Sequence, residues 1–129
     1  MRLYFLDRPL TDSEIEFVEE ALETSIEQIR IPFILPVTNA KESYKDRPLI
    51  NDNVTSKNLL NAGILRDKGK QVALVMPLDM HWYAAFTFTI EKMTGSFPYL
   101  IQTAEHRESI GNKGRIRIID MEGLAGDED

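Results

Sequence analysis

The sequence predicts an α/β sandwich with a mostly parallel sheet of about five strands and helices on both faces, and three observations point to it. Residues 71–102, QVALVMPLDMHWYAAFTFTIEKMTGSFPYLIQ, read as a strand–helix–strand crossover: an apolar run, an interruption at Pro77 and Asp79, a long segment ending at Gly95, and a second apolar run after Pro98. The opening MRLYFL is a short apolar and aromatic run, stopped at Asp7-Arg8-Pro9 and followed by an amphipathic stretch. Residues 115–120, RIRIID, alternate charge with isoleucine as an edge strand facing water does. Parallel crossovers followed by a hairpin-like return make the expected topology Rossmann-like.

Helix one is expected from Thr11. Thr11 and Glu14 have capping-box spacing, the hydroxyl accepting from the Glu14 amide while the carboxylate reaches back to the Thr11 amide. Ile15, Val18, Leu22, Ile26 and Ile29 recur at three- and four-residue steps, so the helix is expected to run to the end of that stripe, with the glutamates on its wet side. Strand two is then placed at 31–37, IPFILPV, its prolines near the two ends. Residues 40–53 are polar and aperiodic and read as a long loop. A second helix is expected from Thr55 or Ser56 through Leu59, Leu60, Ile64 and Leu65, weakened at Gly63 by about 1 kcal/mol relative to alanine. Strand three is placed at 71–76 and strand four at 97–103. Between them, residues 86–90 alternate like a strand, yet Trp82, Phe86, Ile90 and Met93 step like a helix. Asp79 as a cap, Gly95 as a left-handed terminator and Pro98 beyond it decide for helix.

A chain of 129 residues is expected to form one domain, 1–124, burying about two-thirds of its unfolded surface without staples. Residues 125–129 are expected to be a disordered acidic tail. Having no cysteine, the chain is excluded from thiolate catalysis and cysteine-based zinc sites, and the lack of a long apolar run makes a cytoplasmic protein without membrane contact the expectation. Net charge is −6, of which Asp127, Glu128 and Asp129 supply three negatives. A body of that sign does not suit duplex nucleic acid, which needs many cations on phosphates, although one local cluster can still hold a small anion.

Ligands of such sheets lie beyond the carboxyl ends of the strands, which selects the loops 7–11, 36–39, 77–82 and 102–107. These loops contribute Arg8, Thr11, Thr38, Asn39, Asp79, His81, Gln102, Thr103 and Arg107 as candidate ligand-binding residues. Hydroxyls and amides at helix starts, with arginines close by, suit phosphate or a base edge; the alternative is that Thr11 is only a cap and Arg8 only a surface residue. His81 and His106 are the catalytic candidates, each able to serve as general base, although neither has a partner visible in sequence. No metal site and no cofactor are expected, since the histidines lack clustered carboxylates and no phosphate-binding glycine fingerprint, HExxH or Walker loop occurs. Trp82 and Tyr83 fit either stacking on a base or anchoring a helix in the core.

Three stretches together carry a family resemblance: a strand running into Arg8-Pro9-Leu10-Thr11 and a helix; ALVMP with a helix ending TGSFP and a strand YLIQ; and the closing RIRIID with MEGL. In these the chain resembles the short single-domain CRISPR-associated proteins of type III systems with a CARF-like fold (CRISPR-associated Rossmann fold), over about half its length. The resemblance implies a cytoplasmic homodimer that binds a cyclic oligoadenylate messenger and damps antiviral signalling by sequestering it. An alternative within the same family is a metal-independent ring nuclease, in which a ribose 2′-hydroxyl attacks its own phosphate. From a different class, the acidic helix and tail suit a protein-interaction module that docks a basic partner.

Overall fold

The computed structural model describes residues 1–6, 8–32, 52–77, 80–104 and 116–121. Strand β1 (Arg2–Phe5) stands inside the sheet, pairing in parallel with β2 (Glu27–Arg30) on one side and with β3 (Ala73–Val75) on the other. Strand β4 (Tyr99–Gln102) lies parallel to β3, and β5 (Arg117–Ile119) returns antiparallel to β4 with Gln102 opposite Arg117. The order is β2-β1-β3-β4-β5. The predicted five-strand, mostly parallel α/β sheet is therefore observed, with its antiparallel strand at the edge.

Both faces of the sheet are covered, which is why its inner strands carry unbroken apolar runs. Leu3 and Phe5 of β1, Ala73 and Val75 of β3 and Ile101 of β4 pack on one face with Val18 of helix α1 (Asp12–Leu22). Tyr4, Leu74 and Leu100 point the other way, against Leu59 of α2 (Asp52–Asn61) and Phe86 and Ile90 of α3 (Met80–Thr94). Each of these large side chains contributes about 1.5–3 kcal/mol relative to exposure. None of the described helices is long and apolar enough to cross a membrane.

Helix α1 starts as expected, with Thr11 and Glu14 forming both halves of the capping box. It ends earlier than the apolar stripe suggests. Glu23 takes a left-handed conformation (φ 53°), and the amides of Glu23 and Thr24 both donate to the Glu19 carbonyl. The Glu19 carboxylate then accepts from the Ile26 amide at 2.8 Å, turning the chain into β2. Strand two is thus 27–30, not 31–37, and Ile26 and Ile29 belong to opposite faces of the sheet, not to a helical stripe. Local spacing cannot separate these outcomes; pairing along the whole of β1 does, because it satisfies a row of backbone groups that a longer helix would leave unpaired. Pairing extends one step further, since the Ile31 amide donates to the Phe5 carbonyl at 2.9 Å. Residues 33–37 of the predicted strand lie outside the described residues.

The second helix also begins earlier, at Asp52, and does not continue through Gly63. That glycine is left-handed (φ 84°), and a separate 3₁₀ turn follows at Ile64–Asp67. Helix α3 spans nearly the predicted range and stops at Gly95 (φ 97°). It resolves the ambiguity of residues 86–90: Phe86 and Ile90 are fully buried, whereas Phe88, which strand alternation would put beside them, is 58% exposed. The hydroxyls of Thr87, Thr89 and Thr94 donate to carbonyls one turn back, those of Tyr83, Ala85 and Ile90. Poor helix formers thereby bury their own polar groups. Thr89 also meets Thr55 of α2 at 3.0 Å in a buried contact between the helices. Trp82 is partly buried against the core, 6.0 Å from the Phe86 ring, which favours its anchoring role.

Candidate functional site

Both ends of the strands bear charged residues, and they differ in kind. At the amino-terminal edge, where β1, β2 and β3 begin, a pocket of about 230 Å³ is lined by Met1, Arg2, Glu27, Asp67, Lys70 and Gln71. Its centre is Asp67, 2% exposed, whose two carboxylate oxygens accept from the Arg2 guanidinium and the Tyr4 hydroxyl. Arg2 Nε also faces Glu27 at 3.6 Å. Burial, reinforced by the hydrogen bond to Asp67, pushes the Tyr4 hydroxyl pKa well above its ordinary value. Each buried charge here is matched by another, so the cluster pins the 3₁₀ turn under β1.

The carboxyl-terminal edge carries the reversal of strand order that in open α/β sheets accompanies ligand sites. Strand order reverses between β1 and β3, and the two connections leave to opposite faces, α1 on one and α3 on the other. In open α/β sheets the ligand crevice lies beyond such a switch point, because no crossover covers it. Among the described residues, the chain that follows the carboxyl ends there is Leu6 and Arg8–Thr11 after β1, and Met76, Pro77 and the start of α3 after β3.

The predicted site residues fall into three groups on this geometry. Arg8 and Thr11 lie in the chain that follows the carboxyl end of β1, with their polar groups already engaged. Arg8 Nη1 donates to Glu14 Oε1 at 3.1 Å and to the Pro9 carbonyl at 3.0 Å. The Thr11 hydroxyl accepts from the Glu14 amide at 3.3 Å, and the Thr11 amide donates to the same carboxylate at 2.8 Å. Burial works to raise the Glu14 pKa, yet these hydrogen bonds and the Arg8 charge outweigh it and hold the carboxyl below its usual range. Gln102 ends β4 on the same edge, Thr103 follows it, and both are buried, at 8% and 5% exposure. His81 lies in the first turn of α3. Thr38, Asn39, Asp79, His106 and Arg107 lie outside the described residues. Among the described residues no group of three or more histidine, aspartate or glutamate side chains is placed to hold a metal ion.

Two arginines on this edge were missed by sequence reasoning. Arg30 is the last residue of β2, and its guanidinium sits over the Phe5 ring, 5.0 Å from the centroid. Arg117 opens β5, which puts it at the carboxyl ends of its parallel neighbours because β5 runs backwards. Arg30 was hidden by the misplaced second strand, which assigned it to the end of a helix. Arg117 was legible in principle, since the first residue of an antiparallel edge strand shares an edge with the last residues of the parallel ones.

The loop after β1 is held firmly enough to shape this edge. Gln28 of β2 accepts from the Leu10 amide at 2.7 Å and donates to the Leu10 carbonyl at 3.3 Å, and Leu10 itself is buried with Phe5 and Val18. Comparison with family models, with curated proteins and with solved structures found no match for the chain.

Proposed function

We propose that the protein binds a small nucleotide anion in the carboxyl-edge crevice, and that the ligand is a cyclic oligoadenylate which the protein sequesters. The carrying observation is the reversal of strand order between β1 and β3, with chain leaving to opposite faces on either side. Support comes from the charge on the same edge, where three arginines, Arg8, Arg30 and Arg117, stand near the strand ends. On a chain of overall charge −6, a local cation at a strand end is the means of holding an anion. The CARF-like reading of the fold, the type III CRISPR setting, the cytoplasmic location and the homodimer rest on the sequence resemblance. A two-fold ring would be met by two copies of one crevice.

Calorimetry with cyclic tri-, tetra- and hexa-adenylate tests the reading. Saturable binding of one ring size, at one ring per two chains, is expected; no heat with any of them at high protein concentration removes it. The placement of His81 in the first turn of α3 favours a second reading, slow metal-independent ring opening. Linear product after long incubation with EDTA, lost in His81→Ala, separates turnover from sequestration.

A further inference from the structure

We propose that Arg30, and not Arg8, is the cation that meets a phosphate group of the ligand at the carboxyl edge. The inference rests on the reading that this edge takes a phosphorylated ligand, and it deepens that reading by choosing the contact.

The two arginines follow or end adjacent strands at the same end of the sheet, with opposite commitments. Arg8 spends its charge on Glu14, whose carboxylate is also the second half of the helix cap, so withdrawing it from Arg8 disturbs the start of α1. Arg30 is exposed, and among the described residues no carboxylate pairs with it. Among the described residues, the contact made by its guanidinium is with the Phe5 ring. A guanidinium resting on an aromatic face keeps its N–H edges free, and the ring limits the rotamers it explores. Little ordering is then left to oppose a paired hydrogen bond to a phosphate.

The geometry beneath Arg30 is fixed as well. Phe5 and Arg30 are register partners in the β1–β2 ladder, and Phe5 is 6% exposed, within the cluster that also holds Leu10. Gln28, two residues earlier on the same face, clamps the backbone of Leu10. The cation is therefore carried on a strand end and an immobilised ring, one strand from the switch point. Arg117 is set differently: it pairs with Gln102 at the far side of the sheet, where Ile119 faces the α3 side of the core while Phe5 faces α1.

Titrations of the wild type, Arg30→Ala, Arg30→Lys and Arg8→Ala with cyclic tetra-adenylate and with inorganic pyrophosphate test the proposal. Thermal unfolding confirms that each variant is folded. Arg30→Ala is expected to weaken pyrophosphate binding on the order of tenfold or more, the loss of a charged hydrogen-bonded contact. Arg30→Lys should lose several-fold, since it keeps the charge without the planar fork. Arg8→Ala should change affinity less than about threefold, as expected for an arginine already paired. In the wild type the Arg30 ¹⁵Nε resonance should move as pyrophosphate is added.

Pyrophosphate binding that depends on Arg30, with no binding of the adenylate ring, supports the Arg30 contact and removes cyclic oligoadenylate as ligand. Ring binding that Arg30→Ala leaves intact overturns the contact and keeps the proposed function. Failure of the wild type to bind either probe overturns both.

Discussion

The two edges of the sheet hold similar side chains in opposite conditions. At the amino edge, Arg2 is tied to a carboxylate that is almost fully buried, and a tyrosine hydroxyl completes the shell around it. At the carboxyl edge, Arg30 rests on a ring, with no carboxylate beside it among the described residues. An arginine in the first setting supports the fold, because removing either partner strands a buried charge. In the second, little stability depends on the arginine, so its charge is available to a ligand. Arg8 lies between these cases: it stands on the carboxyl edge, but Glu14 draws it into the capping of α1.

The comparison breaks most visibly at Asp67. Asp67→Ala leaves the Arg2 guanidinium and the Tyr4 hydroxyl without their shared acceptor, and urea unfolding should show a loss of about 3 kcal/mol, the low end for breaking a buried pair because Arg2 keeps some solvent contact. A loss under 0.5 kcal/mol would mean that the amino-edge cluster is as loosely held as the carboxyl edge.

Tyr4→Phe removes one hydrogen bond to a charged acceptor, and a loss of about 1.5–2 kcal/mol at neutral pH is expected. The same residue predicts an alkaline effect. Because its folded-state pKa is raised, the folded protein keeps a proton that the unfolded chain releases near its ordinary value of 10.0. Its contribution is full below pH about 10 and falls as pH rises beyond it. Stability measured from pH 8 to 11 should decline more steeply in the wild type than in Tyr4→Phe; parallel curves would refute this role.

At the carboxyl edge the expected losses shrink. Thr11→Ala breaks the capping box and should reduce the thermal midpoint in keeping with about 1 kcal/mol. Glu14, with its pKa held low, stabilises fully above its ordinary value of 4.5 and loses that contribution as pH falls below it, so the cap should weaken in acid. A cap mutant with the same acid limb as the wild type would argue against the Glu14 contacts. Arg30→Ala, which forfeits only an exposed cation–π contact, should cost about 0.5 kcal/mol. Chemical denaturation that found it as damaging as Asp67→Ala would erase the distinction between the edges.

Much of this architecture was legible locally. The capping box at Thr11 and Glu14, the glycine terminator at Gly95 and the charged alternation of β5 are short-range signals, and each names its own structure. The second strand was not legible, because Ile26 and Ile29 continue a helical stripe just as well as they fill the two faces of a strand. Placing β2 four residues late displaced the whole edge it ends on, and Arg30 went unnoticed with it. The Asp67 cluster was equally hidden: Arg2, Tyr4 and Asp67 are more than sixty positions apart on either side of their contact.

What the sequence determined by itself is the set of elements whose signals lie within a few residues: one capped amphipathic helix, a crossover of buried strands around α3, and an edge strand that returns beside β4. Tertiary structure decided where the second strand begins, which arginine is consumed and which is left, and that Asp67 becomes a buried hub. The physical reason is the range of the interactions. Caps and terminators are settled by hydrogen bonds within one turn, whereas the fate of a charge depends on which distant group the folded sheet brings within reach of it.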